Sequence, residues 1–122
     1  MEIICIQGKP GVGKTRLAEM LACELESARV INRDMEIVKK ELAKNAKPAS
    51  IDAYNNALKT ILPYLQKSNI RIAIIESIIA DKLDIWASSY QVVLEDKSSA
   101  SSVFQNILKK FKNTSPKETE MV

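Results

Sequence analysis

Apolar and polar positions along this 122-residue chain change period repeatedly, from continuous short runs to stripes at helical spacing. Residues 2–7, Glu2-Ile3-Ile4-Cys5-Ile6-Gln7, form a β-branched apolar run of the kind that a strand buried on both faces shows. Leu17, Leu21 and Leu25, with Ala18 and Ala22 beside them, then predict a helix from residue 14 to about 27. Residues 28–34 read as a second short strand ending in a polar turn. Met35, Val38 and Leu42 lie on one face of a helix expected over residues 35–44. A break at 45–49, containing Pro48, separates it from a longer helix capped by Ser50. There Ile51, Tyr54, Leu58, Ile61, Leu62 and Leu65 recur at helical spacing, and Pro63 predicts a kink. Residues 71–76 form the next apolar strand, closed by Glu76. A short helical segment at 81–88 leads to a fourth strand at 90–95. The serine-rich stretch from Ser98 to Ser102 starts a last helix with Val103, Phe104, Ile107, Leu108 and Phe111 on its face. Strands alternating with helices predict an α/β domain over residues 1–111 with a parallel sheet, followed by a polar, frayed tail at 112–122.

All three glycines fall inside one stretch, Gly8-Lys9-Pro10-Gly11-Val12-Gly13-Lys14-Thr15, placed between the first strand and the first helix. It matches the phosphate-binding loop pattern G-x-x-x-x-G-K-[ST], and its strand-before, helix-after setting is the one that pattern requires. Without a Cβ, the glycines let backbone amides of residues 9–15 converge on an anion, helped by the positive end of the helix. Lys14 is expected to reach the β- and γ-phosphate oxygens of a nucleoside triphosphate, and Thr15 to hold Mg²⁺. Arg16 and Lys9 read either as helpers on the phosphates or as solvated charges, and Pro10 as a stiffener of the loop.

Composition narrows the chemistry. Cys5 and Cys23 have no C-x-x-C spacing, and the chain has no histidine to complete a zinc site, so both read as reduced, buried thiols. Without histidine, proton transfer falls to carboxylates. The net charge of +3 is too mild to argue for nucleic acid by itself. No apolar run approaches the roughly 20 residues of a membrane span, and the start lacks a signal-peptide pattern, so a cytoplasmic protein with no membrane partner is expected.

Candidate acids lie where strands end. Glu76 closes the strongest apolar strand after the loop, a place suited to holding Mg²⁺ or orienting a water, and is read in that role ahead of the alternative, a solvated strand-end acid. Asp81 is a second candidate in the same loop. Asp34 follows the second strand and reads either as a general base for an attacking hydroxyl or as a helix N-cap. Arg33 beside it reads as an acceptor-binding fork or a surface charge.

Two segments, Ile6-Gln7-Gly8-Lys9-Pro10-Gly11-Val12-Gly13-Lys14-Thr15 and Val30-Ile31-Asn32-Arg33-Asp34, resemble those of the small phosphate-loop kinases, within them the 5′-hydroxyl polynucleotide kinases. The resemblance implies a three-layer P-loop NTPase fold with a four-stranded parallel sheet ordered 2-3-1-4 and helices on both faces. It also implies Asp34 as general base and Arg33 as acceptor-binding residue. The chain departs from that group in having no arginine after residue 71, hence no lid arginines, and in lacking a fifth strand; the basic residues after the fourth are all lysines, notably Lys97, Lys109, Lys110 and Lys112. The reading is an ATP- and Mg²⁺-dependent phosphotransferase acting on a nucleotide or nucleic-acid hydroxyl, with Lys14, Asp34 and Glu76 as its catalytic residues. Its alternatives are a nucleotide-binding regulatory or scaffold module without turnover, and a simple NTPase. A partner subunit supplying the missing basic residues fits the first. ATP is the default nucleotide, since no guanine-specifying motif is present.

Overall fold

The computed structural model describes residues 1–42 and 51–112. In it β1 (Glu2–Gly8) leads into α1 (Lys14–Glu24) and β2 (Ala28–Val30) into α2 (Asn32–Leu42), while α3 (Ile51–Lys67) precedes β3 (Ile72–Ser77). Two short 3₁₀ turns, Ala80–Lys82 and Asp84–Ser88, lead to β4 (Tyr90–Leu94), and a third, Lys97–Ser99, opens α4 (Ala100–Lys112). The strands form one sheet in the order β2-β3-β1-β4, with every pairing parallel. This is the order expected from the sequence.

Parity along the strands builds the layers. Ile4 and Ile6 of β1, Ile72 and Ile74 of β3, and Val92 and Leu94 of β4 pack with Leu17, Ala18 and Leu21 of α1 and Ile107 and Phe111 of α4. Their neighbours Cys5, Ala73 and Ile75 turn to the other face, where Met35 of α2 and Leu58, Ile61 and Leu65 of α3 cover them. Fully buried isoleucines such as Ile4, Ile6, Ile74 and Ile75 each stabilise the fold by roughly 1.5–3 kcal/mol. A one-residue slip would reverse both faces, so the two-sided core fixes the register Ile6↔Glu76 and Gly8↔Leu94. In a parallel sheet all carboxyl ends share one edge, which therefore gathers Gly8, Val30, Ser77 and Leu94.

Several boundaries differ from expectation. Helix α2 begins at Asn32 rather than 35, because β2 ends at Val30 and the chain turns at once. Asp34 consequently sits inside the first turn of α2 and is not its N-cap. The helical segment at 81–88 is a pair of 3₁₀ turns. Pro63 lies within α3, which continues to Lys67 despite the lost amide donor. Cys23 is exposed, contrary to its expected burial, because Leu17, Ala18 and Leu21 take the core-facing side of α1. The break at 45–49, the Ser50 cap and most of the expected tail lie outside the described residues.

Candidate functional site

Loop and helix start are shaped for an anion. Gly11 (φ 81°) and Gly13 (φ 97°) are left-handed, a conformation that costs residues with a Cβ about 1–2 kcal/mol. Gly8 is needed for a different reason: a Cβ there would lie 2.7 Å from the Leu94 carbonyl oxygen and 2.9 Å from Val12 Cγ2. No side chain caps the start of α1, so its first-turn amides are left for an external acceptor. Lys14 is buried, and its Nζ donates to the Lys9 carbonyl at 2.8 Å, drawing the ammonium across the loop.

Glu76 enters from β3. Sharing parity with Ile72 and Ile74, it points to the α1 side of the sheet, where the Thr15 hydroxyl donates to its Oε2. Two oxygens meet at the mouth of the loop, the donor chemistry a hard cation such as Mg²⁺ takes. A second pair of bonds holds the Glu76 backbone: Asn32 Nδ2 donates to its carbonyl (2.6 Å), and its N–H donates to Asn32 Oδ1 (2.9 Å). No sequence motif singles out Asn32. Its only signal was a planar amide where a strand gives way to a helix.

On the acceptor-side candidates the picture divides. Asp34 accepts from Arg29 Nη2 at 2.7 Å and Nε at 3.1 Å, so its carboxylate engages β2 and is not joined to the Thr15–Glu76 pair. Arg33 is exposed on α2, as is Asp81 on its 3₁₀ turn. Lys9, Pro10 and Arg16 are exposed at the loop. Beyond the loop, a cleft of about 740 Å³ runs between α1 and α4, lined among others by Arg16, Met20, Lys97 and Phe104. Lys97 is brought there by its 3₁₀ turn, which Asp96 secures by accepting from Ser99 N–H (2.9 Å) and Ser98 Oγ (2.6 Å). Those bonds, Ser98 first, hold the Asp96 carboxyl below its ordinary range. Among the described residues no group of three Cys, Asp or Glu gathers as a metal cluster, and no helix is long and apolar enough to cross a membrane.

A glycine-built loop at the carboxyl edge of a parallel sheet, with a lysine, a hydroxyl and a facing carboxylate, defines a P-loop NTPase domain. The chain matches the model of the ATPase family associated with various cellular activities (AAA) over residues 4–121, and it belongs to that family. It is an ATP-binding NTPase domain. No curated protein and no solved structure matches it.

Proposed function

We propose that the domain is an Mg²⁺-dependent phosphotransferase that passes the γ-phosphoryl group of ATP to a hydroxyl of a nucleotide or nucleic-acid end. The observation that carries this reading is the sheet order. Because β3 lies directly beside β1, Glu76 meets Thr15, and the start of α2 with Arg33 and Asp34 opens onto the same edge. That is the arrangement implied by the likeness to the 5′-hydroxyl kinases.

In this reading the loop amides and Lys14 bind the phosphates, Lys14 exchanging its bond to the Lys9 carbonyl for one to a phosphate oxygen. Thr15 and Glu76 would hold Mg²⁺, which would supply positive charge to offset that of the phosphates. The cleft beyond the loop takes ribose and base, with Met20 and Phe104 as its apolar walls. Arg33 binds the acceptor. As the acceptor oxygen bonds to phosphorus and the bridging P–O bond breaks, Asp34 takes the hydroxyl proton and ADP leaves. For that, Asp34 must release one of its two bonds to Arg29.

That last requirement favours a second reading, ATP hydrolysis, in which Glu76 orients a water and Asp34 remains a structural partner of Arg29. Incubation with ATP, Mg²⁺ and a panel of nucleosides, nucleotides and 5′-hydroxyl oligonucleotides separates them. Labelled acceptor above a Lys14→Ala control supports transfer. Acceptor-independent phosphate release alone supports hydrolysis, and nucleotide binding with neither sinks both in favour of a regulatory module.

A further inference from the structure

We propose that Asn32 is a positioning residue that fixes the Glu76 carboxylate for the metal-linked role read above, on which this inference rests. Ladder pairing between β2 and β3 ends at Val30↔Ile74, and Ile31 N–H adds one last bond to the Ile74 carbonyl at 2.9 Å. The chain then enters α2. Glu76, two residues beyond Ile74, is left with its N–H and C=O directed at an edge where β2 no longer runs. The Asn32 side chain stands in for the missing peptide, accepting from one group and donating to the other.

Both bonds fall on a single residue, and this is what makes them specific. Holding N–H and C=O of the same residue fixes its backbone torsions and therefore the direction of its Cα–Cβ bond. In Glu76 that bond points to the α1 side, where Thr15 waits. A side-chain amide offers a donor and an acceptor side by side in one plane, at the spacing of a peptide's own N–H and C=O. Aspartate would keep an acceptor for the Glu76 N–H but set an oxygen against its C=O. Glutamine would carry the amide one methylene too far. Partners that orient a metal-holding side chain commonly change metal affinity by roughly 10- to 100-fold when removed.

The test uses the full chain and a fluorescent ATP analogue, its Kd measured in EDTA and in Mg²⁺; the quotient is the Mg²⁺ gain. Asn32→Ala is expected to leave the EDTA Kd within about twofold while cutting the gain roughly tenfold, with Asn32→Asp changing it in the same direction. Glu76→Gln is expected to remove the gain. Asn55→Ala serves as a control, because the buried Asn55 also holds a backbone amide, that of Asp84 at 3.0 Å, on the face away from the loop. It should lower the melting temperature without touching the gain. Should Asn32→Ala lose its circular dichroism spectrum, Asn32→Asp carries the test. A normal gain in both Asn32 variants, or an equal loss in EDTA and Mg²⁺, overturns the positioning role while leaving Glu76 as the metal acid. A normal gain in Glu76→Gln, or none in the wild type, overturns the reading of Glu76 itself.

Discussion

Thr15, in the first turn of α1, donates its hydroxyl to the carboxylate of Glu76 at the end of β3, 61 residues further along the chain. The contact exists because β1 and β3 are neighbours and Glu76 shares the parity of the isoleucines packed against α1. Lys14 lies next to it, its charge drawn over the loop by the Lys9 carbonyl. Lys14→Ala should therefore weaken ATP binding by roughly 10- to 100-fold, the value of a hydrogen bond to a charged group. The melting temperature should stay within a few degrees, since the lost partner is a carbonyl at an exposed loop. Titration with labelled ATP and a thermal melt check both halves.

Gly8 and Gly11 should separate two uses of glycine. In Gly8→Ala the new methyl meets a backbone oxygen that cannot step aside, and stability should fall by about 1–3 kcal/mol in urea unfolding. Gly11→Ala meets nothing within 4 Å and suffers only from its φ of 81°. Its loss should appear mainly in ATP affinity as the loop relaxes away from the phosphate-binding conformation. Equal stability losses in both would contradict this division.

The parts legible in the chain were those set by local pattern. The loop from Gly8 to Thr15, the buried runs of β1 and β3, and the stripe on α4 each announce themselves within a few residues. What escaped depended on which face the chain presents. Cys23 and Leu21 are neighbours on α1, yet only packing against the sheet makes one exposed and the other buried. The sequence leaves Asp34 open between general base and helix cap because the point where β2 gives way to α2 is not marked within 28–34; its partner Arg29 lies on β2, out of reach of any helical spacing rule. Asn32 was invisible because its role is to replace a peptide group that the sheet topology removes.

The two thiols should respond oppositely to a disulfide reagent. Burial pushes the Cys5 thiol up, with a hydrogen bond to Ser89 acting against it, and seals it between β1 and the α2–α3 layer. Cys23 is exposed on α1. Native protein treated with Ellman's reagent should show one fast thiol, absent from Cys23→Ser, while the second reacts only in denaturant.

A cluster between α2 and α3 makes stability depend on pH at both ends of the scale. Lys39, only 7% exposed, pairs with Glu36 (3.0 Å to Oε2), donates to Glu36 Oε1 at 3.2 Å and to Tyr54 Oη at 3.2 Å, and has its Nζ 4.3 Å from the Tyr54 ring centroid. The Tyr54 hydroxyl in turn donates to Glu36. That bond, followed by Lys39, lowers the Glu36 carboxyl despite some desolvation. Burial alone would lower Lys39, but its bonds to Tyr54 and Glu36 outweigh it and hold it above its ordinary value. Tyr54 is raised, chiefly by burial and then by its bond to Glu36. A depressed acid stabilises the fold above its unfolded value, 4.5 for Glu36, and that contribution fades as the pH falls through the folded one. Raised groups act in reverse: Tyr54 and Lys39 contribute fully below their unfolded values of 10.0 and 10.5 and lose that contribution as the pH climbs through the folded ones. Tyr54→Phe removes the hydroxyl that joins the other two, and should cost about 1–2 kcal/mol at neutral pH. Because Glu36 is 42% exposed, its acid-side share of that loss should be small and screened by salt. Urea unfolding from pH 3 to 11 should show the wild-type advantage over Tyr54→Phe as a plateau falling away at both ends. A difference that stays constant across that range would show that the cluster stabilises by packing alone.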